Sequence, residues 1–165
     1  MRGSNSAVRW PARYSPATTP VYVRNELDME APAGDVWAWL VRAQLWPAWY
    51  ENAAHVRFVD GAPPDLGPGV RFRWKTFGVT LESRVLEFVP AERIAWDARG
   101  FGVDAYHAWV IVETPGGSHV VTEETQHGWL ARLANFLMPR RMHRYHQLWL
   151  EELRKKASGG LPPSA

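Results

Sequence analysis

From Val21 onward the chain alternates. Val21, Val23, Leu27 and Met29 are apolar, and Tyr22, Arg24, Glu26 and Asp28 stand between them. A period of two predicts a half-buried strand over 21–30. The stretch Ala-Pro-Ala-Gly-Asp that follows predicts a helix start, with Pro32 early and Asp35 near the positive end of the helix dipole. That helix runs to about Val41, and Pro47 opens a further turn over 47–52. Six strand-like runs come next: 56–59, 70–77, 79–89, 93–99, 103–113 and 118–127. Turn-forming residues separate them, from GAPPDLGPG (61–69) to Pro115–Gly117. Runs at that spacing predict an antiparallel sheet. The stretch 129–157 reads as a long helix interrupted at Pro139. Its apolar stripe is Met142, Tyr145, His146, Trp149 and Leu153, at helical spacing.

The flanks lack such periodicity. Residues 1–20 hold Pro11, Pro16 and Pro20 among Ser and Thr, and 158–165 read SGGLPPSA. Both are expected to be disordered tails around one domain over 21–157. The opening Met-Arg-Gly-Ser resembles a vector remnant. At 165 residues the chain can bury a core without cross-links. It has no cysteine, which excludes disulfides, thiolate zinc sites and thiol catalysis. No apolar run is long enough to span a bilayer and no signal peptide is evident, so a cytoplasmic location is expected.

The net charge of +2 is unevenly spread: residues 1–20 and 139–157 are basic, and 21–138 are acidic. The basic ends lack the motif context of a nucleic-acid binder, so no nucleic-acid partner is expected.

Ten tryptophans change the picture more than charge does. The stretch 31–49, APAGDVWAWLVRAQLWPAW, carries Trp37, Trp39, Trp46 and Trp49. Each indole buries on the order of 150–250 Å² and brings an N–H that needs a partner. Such a run either closes a core or lines a place for a flat apolar molecule. Trp37 and Trp39 are about 200° apart on a helix and cannot share a face.

Three passages carry a family resemblance. Ala31-Pro32…Val36-Trp37…Leu40…Trp46-Pro47…Trp49 is similar to an AP-x-x-x-VW…WP-x-W opening. Leu66-Gly67-Pro68-Gly69-Val70-Arg71-Phe72 resembles a GxG turn into a third strand, and Trp109…Pro115-Gly116-Gly117-Ser118-His119-Val120 resembles a W…PGGT-x-V hairpin. All three belong to the SRPBCC, or START-like, helix-grip superfamily, in its polyketide cyclase/dehydrase-like branch. The chain departs from the pattern at Arg42-Ala43, where Asp/Asn-Pro is common, and at Ser118 for Thr. The resemblance implies an α+β helix-grip fold. In it a seven-stranded antiparallel sheet curves around a long C-terminal helix, with two short helices between strands 1 and 2. It also implies a cavity for a lipid, sterol, polyketide or other aromatic ligand; separately, no cofactor is expected.

Alternation then sorts side chains toward that cavity. It selects Phe72, Trp74 and Thr76; Ile94, Trp96 and Ala98; Ala105, His107, Trp109 and Ile111; and Val120, Thr122, Glu124 and Gln126. Over 79–89 the set Thr80, Glu82, Arg84, Leu86 and Phe88 is taken as inward because it ends on two large apolar residues. The expected ligand-binding residues are Trp37, Trp49, Phe72, Trp74, Glu82, Trp96, Trp109, Thr122, Tyr145, His146 and Trp149. For acid–base chemistry Glu124 is the first candidate and His107 the second, with Arg84 to hold an enolate oxygen. The bland alternative is that these groups form ion pairs and do no chemistry.

His143 and His146 lie one helical turn apart and could share a metal with Glu124, but His143 falls off the inner stripe and no HExxH or CxxC exists, so no metal is expected. Three functions remain open: binding a small apolar or aromatic ligand, cyclase/dehydratase catalysis, or a non-catalytic protein-interaction role.

Overall fold

The computed structural model describes residues 7–60 and 64–164. The opening Met-Arg-Gly-Ser lies outside them. The elements run β1 (Val21–Met29), α1 (Ala33–Val41), α2 (Trp46–Trp49), β2 (Ala54–Phe58), β3 (Arg71–Thr76), β4 (Val79–Val89), β5 (Arg93–Gly100), β6 (Val103–Thr114), β7 (Gly117–His127), α3 (Trp129–Leu137) and α4 (Arg141–Ser158). The seven strands form one sheet in the order β1-β7-β6-β5-β4-β3-β2, and every neighbouring pair is antiparallel. This is the expected helix-grip architecture.

Pro139 divides the long C-terminal helix into α3 and α4, since proline has no N–H for the ladder. The apolar stripe of α4 lies on the inner sheet face. Trp149, Leu150, Leu153 and Ala157 join Val36 and Leu40 of α1 and Trp96, Trp109 and Ile111 of the sheet in one core. Asn25 of β1 clamps α4 through its Nδ2, which donates to the His143 carbonyl (3.1 Å) and to Gln147 Oε1 (3.0 Å).

Trp46 forms the centre of this core. Its ring lies 5.1 Å from Trp149, 5.4 Å from Trp74, 5.6 Å from Trp96 and 5.9 Å from Phe72, and its Nε1 donates to the Leu40 carbonyl.

The segment before β1 is not a tail where it is described. Residues 7–20 cross the outer face of the sheet. Tyr14 is buried, stacks on Tyr106 at 5.3 Å and donates its hydroxyl to Asp104 Oδ1 (2.7 Å). Arg13 pairs with the same Asp104, and Thr125 Oγ1 donates to the Tyr14 carbonyl (3.0 Å). The segment's polar composition hid a few aromatic anchors, and β6 is consequently buried on both faces over 105–111. Past α4 the chain is also held: Trp39 Nε1 donates to the Gly160 carbonyl (2.6 Å) and Arg42 to that of Pro163 (2.9 Å).

The inward face of β4 is the reverse of the expectation. Leu81, Ser83 and Val85 are buried, whereas Thr80, Arg84 and Leu86 are exposed. A bulge between Val85 and Glu87 explains the error. The extra residue switches the alternation, so Phe88 does turn inward onto Trp37, but its phase does not extend back to Arg84.

Candidate functional site

A cavity of about 260 Å³ opens between the inner sheet face and the two C-terminal helices. Trp74 and Thr76 of β3, Leu81 of β4, Trp96 and Ala98 of β5, His107 of β6, and Glu124 and Gln126 of β7 form its floor. His146 and Trp149 of α4 form one wall, with Tyr50 beside them. Leu130, Ala131 and Ala134 of α3 form the roof. That roof is anchored where Gly128, at φ 107°, passes against Gly102, whose carbonyl accepts the Leu130 N–H (3.1 Å).

Register explains the polar cluster. His107 and Glu124 are directly opposed across the β6–β7 ladder, on the same inward face. One turn before Trp149 on α4, His146 comes down onto the pair. Glu124 Oε2 lies 3.2 Å from His107 Nδ1 and 3.1 Å from His146 Nε2. The two imidazoles stack with centroids 4.8 Å apart. His107 Nε2 shares a hydrogen bond with the Thr122 hydroxyl (2.8 Å), which fixes that ring from behind. Gln126 Nε2 donates to Glu124 Oε1 (2.5 Å).

All three groups are buried. Burial alone would raise the Glu124 carboxyl, but the facing imidazoles and the Gln126 amide hold it well below the usual carboxylate range, at about 2. Burial pushes His107 down to about 3; Glu124 opposes that shift and His146 adds to it. Burial also raises the Tyr50 phenol and keeps it protonated.

Several buried polar atoms here have no hydrogen-bond partner in the protein: Nδ1 of His146 and the indole N–H groups of Trp96 and Trp149. Such groups are uncommon in interiors and each calls for a partner.

The structure gathers Glu124, His107, His146, Trp74, Trp96 and Trp149 at the cavity. Thr122 supports the site through its bond to His107, and Trp109 lies behind that ring, stacked at 5.4 Å. Phe72 is buried beneath Trp46 instead of lining the space.

Other expected site residues lie elsewhere. Arg84 is exposed on the outer face, and Glu82 faces Arg71 and Arg73 there, 3.0 Å from Arg73. Neither reaches the cavity, for the bulge reason given above. Trp37 packs on Phe88 at 5.1 Å, and Trp49 lines a separate depression with Glu51, Gln147 and Leu148. Tyr145 turns to Phe77 and to Arg141. The tryptophan-rich opening therefore builds core and periphery, and none of its four indoles lines the cavity.

Tyr50, Gln126 and the α3 roof were absent from the expected site. Gln126 was legible by alternation. Tyr50 is placed by Asn52, whose Nδ2 donates to the Tyr50 hydroxyl (3.2 Å) and to Thr76 Oγ1 (3.0 Å), a bridge with no local signature. The signal for α3 is an apolar surface on both its sides.

Comparison with known proteins agrees with this fold. A Helicobacter pylori hypothetical protein, jhp0584, has a similar structure (TM-score 0.85, 28% identity, covering 92% of this chain and 96% of that one). The Zhui aromatase/cyclase from Streptomyces sp. R1128 shares the fold at TM-score 0.68 and 17% identity, over 84% and 93% of the two chains. The di-domain ARO/CYC StfQ of steffimycin biosynthesis matches at TM-score 0.69 and 15% identity, over 84% of this chain and 51% of that one. Among curated proteins none matches the sequence. The family model described as "Polyketide cyclase / dehydrase and lipid transport" matches residues 20–158, and the chain belongs to that family.

Proposed function

We propose that this protein binds a small, largely apolar aromatic or polyketide-like molecule, with the ligand's polar end turned to His107, Glu124 and His146. The observation that carries this reading is a largely apolar cavity whose wall holds buried polar atoms unpartnered by the protein: His146 Nδ1 and the indole N–H groups of Trp96 and Trp149. An apolar enclosure with a few convergent polar groups is the usual form of a ligand site.

Size narrows the ligand. A cavity of about 150 Å³ holds benzene, and common ligand pockets begin near 300 Å³. At about 260 Å³ this one suits one or two fused rings unless the α3 roof moves. The aromatase/cyclase names of the fold relatives support a ring-bearing ligand.

The test is titration with 1-naphthol, read by quenching of the total tryptophan emission, to which Trp74, Trp96 and Trp149 at the cavity contribute. Saturable quenching that Ala134→Phe abolishes is expected, because the added ring fills the space under α3. Absence of saturable quenching, or quenching that Ala134→Phe leaves unchanged, would overturn the reading.

A further inference from the structure

We propose that His107, Glu124 and His146 form a binding site for one divalent transition-metal ion of the Zn²⁺ or Fe²⁺ kind. This goes beyond ligand binding and does not depend on it. One nitrogen of each imidazole and one carboxylate oxygen lie within 4.8 Å of one another, and all three residues are buried. Donor atoms held about 2.1 Å from one ion at tetrahedral angles lie about 3.4 Å apart. Glu124 Oε2 stands 3.2 Å from His107 Nδ1 and 3.1 Å from His146 Nε2, so two of the three spacings are already near that value.

The donors are also free to ligate. His107 uses Nε2 on Thr122, which leaves Nδ1 toward the cluster, and a hydrogen bond to the remote nitrogen is the usual support of a ligating histidine. His146 Nδ1 makes no hydrogen bond, and its Nε2 already faces Glu124 Oε2 at 3.1 Å. An ion seated between Nε2 and Oε2 would take over that contact and leave Nδ1 as it is. The Gln126 amide and the two imidazoles keep the buried Glu124 carboxylate ionised and so ready to ligate. Among the charged groups that could do so, no Lys or Arg forms an ion pair with Glu124 among the described residues.

Two imidazoles and one carboxylate, with no thiolate anywhere in the chain, suit Zn²⁺ or Fe²⁺ over softer ions. The remaining coordination positions would face the cavity, as in sites that act on a ligand and unlike closed structural sites. His143, one turn away, is exposed and contributes nothing.

The experiment uses the full chain stripped with a chelator, then titrated calorimetrically with ZnCl₂ alone. One equivalent is expected to bind and to raise the melting temperature. Thr122→Val is expected to weaken binding about 10–100-fold, Glu124→Gln to abolish it, and His143→Ala to leave it unchanged. Should Glu124→Gln fail to fold, NMR of the wild type with CoCl₂ decides the question. Shifts of the His107 and His146 ring protons, with those of His119 and His143 unmoved, support the site. Failure to take up stoichiometric metal, uptake that survives Glu124→Gln, or shifts confined to exposed histidines would overturn it. Naphthol quenching by the stripped protein is measured separately, so loss of either result leaves the other readable.

A second surface carries its own inference. The outer side of α3 and the β5–β6 turn expose Phe136 (82%), Phe101 (74%), Leu137 (64%) and Trp129 (57%). Phe101 and Trp129 meet edge to face at 5.4 Å, forming one patch. From residue 125 to residue 150 the chain has four arginines and no acid. Exposed apolar side chains beside the exposed Arg132 and Arg140 match an anionic lipid bilayer, and we infer that α3 docks on one. Co-sedimentation with phosphatidylglycerol-containing vesicles is expected, with little on pure phosphatidylcholine, and with loss in Phe136→Glu and at high salt. Equal sedimentation with neutral vesicles, none with anionic ones, or a wild-type dimer that Phe136→Glu disperses would overturn this docking.

Discussion

Trp149→Ala tests whether the aromatic cluster is as tightly packed as its geometry implies. Trp149 is 1% exposed. It stacks on Tyr50 at 4.5 Å and meets Trp46 and Trp109 edge to face at 5.1 Å each. Truncating such a side chain loses its transfer energy and leaves a cavity that rigid neighbours cannot refill, at about 3–5 kcal/mol. Deletion also removes an indole N–H that has no partner in the protein. That relieves part of a desolvation penalty and places the expected loss near the lower end, about 3 kcal/mol. Trp149→Phe removes the same unpaired donor but keeps most of the ring, so it is expected to cost under about 1.5 kcal/mol. In a chain of this size the Ala variant should melt about 6–12 °C lower. Far-UV circular dichroism is the proper probe, because the substitution itself changes the indole emission that a fluorescence melt would follow. An Ala variant that melts within about 2 °C of the Phe variant would refute the packing argument.

Other predictions follow from the corrected faces. Arg84→Ala, on the outer surface, should leave naphthol quenching intact and move the melting temperature by less than about 2 °C. Gly128→Ala places a Cβ 2.2 Å from the Gly102 carbonyl at φ 107°, so a loss of about 1–3 kcal/mol is expected; limited proteolysis should then cut α3 faster. Tyr14→Phe removes a bond to the Asp104 carboxylate and should cost about 1.5–3 kcal/mol in urea unfolding. It should also expose residues 7–20 to protease, whereas unchanged protection would mean that stacking on Tyr106 alone holds the segment.

Much of the candidate site was legible before any coordinates. His107 and Glu124 fall inward by simple alternation on long, regular strands, and β6 and β7 pair without a bulge. His146 follows from the helical stripe it shares with Trp149 and Leu153. The same alternation failed on β4, because a single bulged residue near Val85 reverses the faces and leaves no mark in the pattern of apolar residues.

The tryptophan run shows the limit differently. Its composition announces heavy burial, and burial is what Trp46 does, but which neighbour each indole meets depends on chain segments far away. Trp39 bonds to Gly160 and Trp37 packs on Phe88.

Periodicity is a local property, so the residues alone determined the element order, the sheet and most inward faces. The convergence of His107, Glu124 and His146, the docking of residues 7–20 and the α3 roof arise from contacts between distant segments. Only the folded chain decides these, because the free energy that selects them comes from surfaces brought together and not from the residues beside them in sequence.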